Sequence, residues 1–458
     1  TECMHRPIST PRLPYVIENE VRKTILGNRN RTCIVQWELF NEINRPILAQ
    51  MLNSMSILAR DLDPTRMILD ESGGWAFGAR IYLPGEYEPM KFNDIHNYPG
   101  PFVSQQLFNG LLSIGLTEDE KKERGIRART PGRNVVPGLM SFVSELGYGS
   151  LPDLPVNNRR FSEQGNPLTP AFRYHERLER EQKEVLRESG FARYYQDFAQ
   201  FCLDQQAIHG AANRRMIEAV RSNPRVSGYC IHALAAGDWI LGAGLIDLWR
   251  QPKSVVFTET KAANQPRILV IRALPRNIYA DRGCRLEVTG VNELAATDVS
   301  FLLQVESADG KSILSKKLAI DWKTGVSQLY AEQLETGTLS GKYIVRVVAS
   351  AEDGSIIAQN SRNLYVFSDQ ESATVSQPIA LLDGDGALTR HLRKKYVLFT
   401  EFSAQTLKQT PVFVGKGALD RPESRERSAD LMRHIAAGGT VVYLSEAMRH
   451  LRQGTAPG

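Results

Sequence analysis

The stretch Cys-Ile-Val-Gln-Trp-Glu-Leu-Phe-Asn-Glu, residues 33–42, decides the fold expected for this chain. It is an apolar run that ends in a carboxylate, and Met-Ser-Phe-Val-Ser-Glu-Leu-Gly, residues 140–147, has the same arrangement. Short apolar runs of this kind are typical of buried parallel strands. If both strands belong to one β/α barrel, Glu42 and Glu145 meet at its C-terminal face, where such barrels carry their active sites.

The surrounding residues, 15–260, alternate strand and helix patterns. This alternation favours a parallel sheet, either a barrel or an open doubly wound sheet. The predicted strands are Cys33–Leu39, Met67–Leu69, Asp94–Asn97, Met140–Val143 and Val226–Ala233. The predicted helices, in which apolar residues recur at helical spacing, include Ile47–Leu62 and Ala192–Asn223.

Two changes of pattern divide the rest of the chain. Short alternating strands with turns between them predict an immunoglobulin-like β-sandwich. The last segment has a Rossmann-like α/β order, and its turn Asp383–Gly386 lacks the spacing of a phosphate-binding loop, so a tight strand-to-helix turn is favoured. The predicted domains are residues 1–264, the C-terminal part of a TIM barrel, 265–370, the sandwich, and 371–458, a truncated α/β domain.

Composition narrows the class of protein. A hydrophobic content of 42% with 23% charged residues is ordinary for a globular protein, and no apolar run is long enough to span a membrane. The net charge of +5 is spread along the chain, which does not favour a nucleic-acid surface. The five cysteines lack metal-site spacing. A metal near the two carboxylates is left open, but no cluster of Asp, Glu and His calls for one.

Two carboxylates on neighbouring or alternate barrel strands suit the hydrolysis of a glycosidic bond. A retaining glycosidase needs two carboxyl groups about 5–5.5 Å apart, one to attack the sugar and one to protonate the leaving oxygen. Apolar surroundings, to which Trp37 would contribute, help an acid to keep its proton. A single glutamate at a strand end is more often a cap or a surface residue, so the pair carries the prediction.

The segment Trp37–Glu42 resembles the W-x-x-x-N-E acid/base segment of glycoside hydrolase family 2, the family of β-galactosidases, β-glucuronidases and β-mannosidases. Ser144–Gly147 is similar to its nucleophile segment, and Gly228–Ile231 and Gly244–Lys253 resemble its last barrel strand and the exit from the barrel. The resemblance implies a retaining β-glycosidase that needs no cofactor. Glu42 would then be the acid/base and Glu145 the nucleophile, and Asn41 would bind the 2-hydroxyl of the sugar.

Further substrate-binding residues are expected where strands end. Tyr98 would support the nucleophile or pack in a loop, and His96 would hold a sugar hydroxyl or cap its strand. Trp239 would stack on a sugar face or lie in the core, and Glu71 and Trp75 are weaker candidates. The Asn-x-Lys pair of glucuronidases is not found near residues 242–244, so a uronic acid substrate is not favoured. The expected substrate is a terminal β-glycoside that is β-galactoside-like.

The resemblance begins at the fourth barrel strand of the family. We therefore expect a C-terminal piece of a longer enzyme, with unpaired strand edges that leave residues 1–458 unstable or inactive alone. One alternative is a carbohydrate-binding protein with a degenerate, non-hydrolytic barrel. Another is an α/β binding protein that acts through its C-terminal domain. The sequence leaves open homo-oligomer formation and the compartment.

Overall fold

The computed structural model describes residues 11–43, 46–100, 103–147, 149–165, 170–235, 242–337, 339–368, 377–419 and 424–444. The chain divides into two compact units, residues 1–368 and 369–458. Within the described ranges, no helix is both long and apolar enough to cross a membrane. The predicted substrate-binding residue Trp239 lies outside the described residues.

The first unit opens with a helix whose buried residues recur every four positions, α1 (Leu13–Asn28). Next come β1 (Gln36–Asn41), α2 (Pro46–Ala49), α3 (Leu52–Leu62), β2 (Met67–Ser72), β3 (Arg80–Tyr82) and β4 (Met90–Lys91). These strands form one sheet in the order β1-β2-β3-β4, with β1 parallel to β2 and a hairpin of β3 and β4 on the far edge.

A second sheet holds three parallel strands, β5 (Asn93–Asn97), β6 (Ser141–Leu146) and β7 (Val226–Ile231). The helices that connect and follow these strands are α4 (Gln105–Leu112), α5 (Glu118–Glu123), α6 (Leu154–Glu163), α7 (Pro170–Glu188), α8 (Phe198–Arg221) and α9 (Ser254–Ala263). All five parallel strands expected from the sequence are therefore present, with somewhat different ends.

The five strands do not share one hydrogen-bonded sheet, which corrects the simple picture of a continuous partial barrel. The free edge of β2 is taken by β3, because Ile68 pairs with Tyr82 and Leu69 with Ile81. Strand β5 consequently begins a separate sheet. Among the described residues, β1 pairs with β2 on one edge and β7 pairs with β6 on one edge, so each of them is the last strand of its sheet.

The sandwich follows within the same unit. Its strands are β8 (Arg267–Leu274), β9 (Asn277–Tyr279), β10 (Cys284–Asn292), β11 (Thr297–Ser307), β12 (Ser312–Trp322), β13 (Gly325–Leu334), β14 (Gly341–Ser350) and β15 (Ile356–Phe367). They form two sheets, β13-β10-β8 and β12-β11-β14-β15-β9. Burial alternates along β11 and β14, as expected for strands with one face on a core.

A buried charge cluster joins α8 to the sandwich. Glu218 of α8 pairs with Arg214 at 3.2 Å and with Arg362 of β15, and it accepts a hydrogen bond from Asn360 at 3.0 Å. A buried glutamate needs such partners because an isolated charge is costly to bury. The sheets that hold the parallel strands and the sandwich lie in the same compact unit. The predicted domain boundary at residue 264 therefore stays a prediction.

The second unit is an α/β layer. Its elements are β16 (Ile379–Leu382), α10 (Ala387–Lys394), β17 (Phe399–Glu401), β18 (Val412–Val414), α11 (Ser424–Ala436) and β19 (Val441–Tyr443), with parallel strands in the order β17-β16-β18-β19. After β16, Asp383 accepts a hydrogen bond from the amide of Thr389 at 2.7 Å. A Cβ on Gly384 would lie 2.2 Å from the carbonyl carbon of Gly417. The turn therefore uses its carboxylate to hold α10 and its glycine for close backbone packing.

Candidate active site

Glu42 lies immediately after β1, where the backbone turns sharply. Its φ of 48° is in the left-handed region that few residues other than glycine adopt. Its amide donates to the carbonyl of Ser72 at 3.0 Å, so the turn continues the pairing between β1 and β2. The side chain of Glu42 is half-buried and contacts His96 of β5.

The turn at Glu42 is held by the buried carboxylate of Glu71. Glu71 accepts hydrogen bonds from the amides of Ile43 at 2.9 Å, Trp75 at 2.9 Å and Ala76 at 3.1 Å. Burial raises the pKa of Glu71 to about 7, although these amides favour its charged form. The structure thus makes Glu71 an anchor for two loops rather than a group that faces a substrate.

Glu145 lies near the end of β6, beside the end of β5. The register of these parallel strands pairs His96 with Glu145. On the other side of β6, Leu146 pairs with Ile231, and His232 follows with Nε2 3.9 Å from Glu145 Oε2. Two histidines from neighbouring strands therefore flank the carboxylate of Glu145.

The two predicted catalytic glutamates come together. One ligand atom from each of Glu42, His96 and Glu145 lies within 4.8 Å of the other two. His96 Nδ1 is 2.7 Å from Glu42 Oε1 and 3.7 Å from Glu145 Oε2. Strands that are far apart in sequence thus bring two carboxylates to one place, where they can act on a single bond from two directions.

The imidazole of His96 is enclosed by polar groups of three strand ends. Its Nε2 is 2.8 Å from Ser72 Oγ and 3.9 Å from Asp94 Oδ1. Asp94 Oδ1 accepts from the amide of Gly73 at 2.7 Å, from Ser72 Oγ at 3.2 Å and from Ser144 Oγ. Burial raises the pKa of Asp94, while these hydrogen bonds oppose the rise.

The pKa of His96 reflects opposing influences. Burial lowers it, because a charged ring is poorly solvated in the interior. The hydrogen bond with Glu42 and the charges of Glu145 and Asp94 raise it and outweigh burial, so the pKa lies above the ordinary value. The acidic neighbours of His96 therefore favour the protonated form of its ring.

Asn41 is buried at the end of β1, and its Oδ1 has no hydrogen-bond partner among the described residues. Buried acceptors are normally satisfied, so an oxygen left without a partner is available to a ligand hydroxyl. Tyr98 is 48% exposed and lies edge-on to His232, with ring centroids 5.5 Å apart. This places Tyr98 at the rim beside Glu145, and its support of the nucleophile stays a prediction.

Two tryptophans have other neighbours. Trp37 is buried at the opposite end of β1, where its Nε1 donates to Asp63 at 2.8 Å. The expectation that Trp37 contributes to the surroundings of Glu42 was wrong, because five residues of extended strand separate them by about 16 Å. Trp75 lies under the guanidinium of Arg133, 4.1 Å from its ring centroid.

The atoms of Glu42, His96 and Glu145 are close enough for a metal to be considered. The 2.7 Å between His96 Nδ1 and Glu42 Oε1 is a hydrogen-bond distance. Two ligands of one tetrahedral zinc ion, each about 2.0–2.1 Å from the metal, would be about 3.3 Å apart. We therefore assign these atoms to a hydrogen bond and do not assign the three side chains as metal ligands.

Comparison of the sequence with protein-family models and with curated proteins finds no match. Comparison of the structure finds a β-D-mannosidase from Dictyoglomus thermophilum at a TM-score of 0.50 and 19% identity, covering 82% of this chain and 43% of that one. An exo-chitosanase from Amycolatopsis orientalis follows at 0.45 and 15%, covering 78% and 39%. A Bacteroides uniformis β-glucuronidase gives 0.33 and 13%, covering 84% and 39%.

These similarities concern part of each neighbour. The chain spans 39–43% of the length of these three proteins. At 19% identity, the likeness to the mannosidase shows a similar fold over most of this chain and no more. The roles of individual residues rest on the geometry described above.

Proposed function

We propose that this chain carries the catalytic carboxylates of a retaining β-glycosidase of glycoside hydrolase family 2, acting on terminal β-glycosides. The observation that carries the proposal is the approach of Glu42 and Glu145 within 4.8 Å at the ends of β1 and β6. Retaining enzymes place their carboxyl groups about 5–5.5 Å apart, and inverting enzymes about 6.5–9.5 Å apart. The short separation favours the retaining reaction.

In the proposed reaction, a carboxylate oxygen of Glu145 bonds to the anomeric carbon while the bond to the leaving oxygen breaks. Glu42 gives its proton to that oxygen, so the aglycone leaves as an alcohol. Glu42 then takes a proton from water as the water oxygen attacks the same carbon and releases Glu145. The configuration at the anomeric carbon is inverted twice, and no cofactor is required.

The sugar would lie against Asn41, whose unpartnered Oδ1 is buried one residue before Glu42. An acceptor at this position suits the 2-hydroxyl, the contact that the family resemblance implies. Tyr98 at the rim and Trp239 complete the proposed binding residues. A β-galactoside-like sugar remains our proposed substrate, and a panel of sugars tests it directly.

The nucleophile can be trapped. We expect a 2,4-dinitrophenyl 2-deoxy-2-fluoro-β-glycoside to leave one sugar on Glu145, located by peptide mass mapping. The galactose, glucose and mannose forms should be offered to the protein expressed with any natural sequence that flanks residues 1–458. Glu145→Gln should abolish labelling, and Glu71→Gln, which alters the buried loop anchor, should be labelled as wild type is.

A non-hydrolytic sugar-binding protein gives a different result. Such a protein would bind a sugar in calorimetry without forming a covalent adduct with any compound of the panel. It would also give no product when Glu145→Gly is supplied with an α-glycosyl fluoride and an acceptor, whereas the glycosidase is expected to form a new β-glycoside. Labelling at a residue other than Glu145 would refute the assigned nucleophile.

A further inference from the structure

We propose that Glu42 and His96 share a single proton, and that Ser72 and Asp94 fix the ring of His96 so that this proton faces Glu42. The inference rests on the proposed function in one respect, since it makes the shared proton the one that Glu42 delivers to the leaving oxygen. His96 thereby becomes a positioning residue that acts through Glu42. This replaces the sugar contact expected from the sequence, because both ring nitrogens face protein atoms.

The first step concerns Asp94. Its Oδ1 accepts from the Gly73 amide and is within hydrogen-bond distance of the hydroxyls of Ser72 and Ser144. All of these contacts use Oδ1 as an acceptor, a role that this oxygen keeps even when the other oxygen of Asp94 carries a proton. The hydroxyl of Ser72 can donate to Asp94 Oδ1 at 3.2 Å or to Ser144 Oγ at 3.3 Å, and either direction leaves a lone pair of Ser72 Oγ for another donor.

The second step concerns the tautomer of His96. Ser72 Oγ lies 2.8 Å from Nε2, so it accepts an Nε2–H if its own proton points at Asp94. The charge of Asp94, 3.9 Å from Nε2, favours a proton on that nitrogen. With Nε2 protonated, a neutral ring has Nδ1 as a bare acceptor.

The third step concerns the contact between Nδ1 and Glu42. At 2.7 Å, one of the two atoms must carry a proton. Either Glu42 is a carboxylic acid that donates to Nδ1, or a charged ring donates to the carboxylate. Both descriptions contain the same single proton, so the contact between Glu42 and His96 holds one proton that the two groups share.

The charges around the ring determine how firmly the pair holds its proton. Glu42 follows β1, Asp94 lies on β5 and Glu145 lies on β6, with its Oε2 3.7 Å from Nδ1. His232, which follows β7, lies 3.9 Å from Glu145 on its far side. Burial, and then the charges of Glu38, Asp94 and Glu145, raise the pKa of the Cys230 thiol on β7. The acidic groups dominate this environment and raise the pKa of His96 despite its burial.

This arrangement suits a residue that must be an acid first and a base later. When the pair gives its proton to the leaving oxygen, Glu42 is left as a carboxylate beside a neutral ring. The proton taken from water in the second step returns to the same pair. His96 therefore lets Glu42 hold a proton without the apolar pocket that a lone glutamic acid would need.

The sharing can be observed without any substrate. The protein, expressed with ¹⁵N-labelled histidine and with any natural sequence that flanks residues 1–458, is titrated between pH 5 and 9 by two-bond ¹H–¹⁵N spectra, and His96→Asn identifies the His96 signals. We expect the neutral ring of His96 to carry its proton on Nε2. In Glu42→Gln, which has no carboxyl proton to share, we expect the pKa of His96 to fall by at least one unit, a tenfold loss of proton affinity.

Glu145→Gln is the matched control. It removes a carboxylate charge at 3.7 Å without removing the 2.7 Å contact, so its effect on the pKa of His96 should be smaller than that of Glu42→Gln. An unchanged pKa in Glu42→Gln would overturn the proposal. So would a neutral ring protonated on Nδ1, which is read from the wild-type protein even if a variant fails to fold.

The outcomes separate this inference from the proposed function. A shared proton in a protein that traps no sugar on Glu145 would sink the glycosidase proposal and leave the proton pair standing. If a sugar is trapped on Glu145 but the pKa of His96 is the same in Glu42→Gln and wild type, the glycosidase proposal stands and the shared proton is refuted. In the second case, the acid/base would hold its proton through other neighbours.

Discussion

Glu71→Gln should change how the stability of the first unit depends on pH. The buried carboxylate of Glu71 gathers the amides of Ile43, Trp75 and Ala76, mainly on its Oε1 atom. A glutamine in the same position keeps an oxygen acceptor for these amides and has no titrating proton. The substitution therefore tests the charge of Glu71 while leaving most of its hydrogen bonds in place.

The magnitude follows from the pKa of Glu71, which burial raises to about 7 from the ordinary 4.5. The folded protein thus binds this proton more tightly than the unfolded chain does. Its free energy of unfolding must fall as the pH rises from about 4.5 to about 7. At about 1.4 kcal/mol per pKa unit, the full loss is about 3 kcal/mol.

We expect Glu71→Gln and wild type to have similar stability at pH 4.5, and the variant to be more stable by up to about 3 kcal/mol at pH 8. Urea unfolding at several pH values gives the difference, from which the other titrating groups cancel. Hydrogen exchange at the amides of Ile43 and Trp75 shows whether the effect lies at this anchor. Glu71→Ala should be less stable at every pH, because it leaves buried amides without an acceptor.

One result would refute the reasoning behind this prediction. If the stability difference between Glu71→Gln and wild type is the same at pH 4.5 and pH 8, Glu71 keeps an ordinary pKa in the folded protein. The three amides would then outweigh burial, and Glu71 would be a charged anchor across the whole pH range.

Two further substitutions probe the site itself. Glu42→Ala should slow the hydrolysis of methyl β-glycosides by about 10²–10⁴ and that of 2,4-dinitrophenyl glycosides far less, because general acid catalysis matters most for a poor leaving group. Added azide should yield a β-glycosyl azide, and equal losses on both substrates with no azide product would contradict the assigned role. Gly73→Ala places a Cβ 3.0 Å from His96 Nδ1 at a φ of 81°, whereas Gly85→Ala at a φ of 79° meets nothing within 4 Å. Both variants should lose about 1–2 kcal/mol of stability in thermal unfolding. Only Gly73→Ala should also change the pKa of His96. An unchanged pKa of His96 in Gly73→Ala would show that the ring is not tightly enclosed.

The sequence was most informative where a single apolar run corresponds to a single strand. The apolar run before Glu42 became β1, and the run that holds Glu145 became β6, extending to Leu146. The long helix predicted from Ala192 begins instead at Phe198, where Asp197 caps it by accepting from the amide of Gln200. Helix starts depend on such local caps, which hydrophobic periodicity does not reveal.

The arrangement of the sheets could not be predicted from periodicity. Strands β3 and β4 are too short to show an alternating pattern. Yet β3 occupies the edge of β2, with β4 on its far side, and the parallel strands lie in two sheets. Edge pairing depends on which backbone groups are free in space. A pattern of apolar residues does not report it.

The enclosure of His96 was also missed, although one signal was present. Asp94 and His96 are two residues apart on β5, so they share a face of the strand. That spacing alone could have paired a carboxylate with the ring. Ser72 and Ser144 carry no comparable signal, because a serine near a strand end fits solvent equally well, and only the folded register brings both hydroxyls to Asp94.

Glu71 and Asp94 are both buried carboxylates beside the site, but they differ in the groups that surround them. Glu71 receives backbone amides, which are fixed by the fold, so it can hold loops whether or not it is charged. Asp94 receives one backbone amide, from Gly73, but its other donors are hydroxyl groups that can rotate, and through Ser72 it reaches a ring that contacts Glu42. Rigid donors suit an anchor, while rotatable donors can follow a proton that moves. This contrast predicts that the main effect of replacing Glu71 is on the free energy of unfolding. The main effect of replacing Asp94 should be on the pKa of His96.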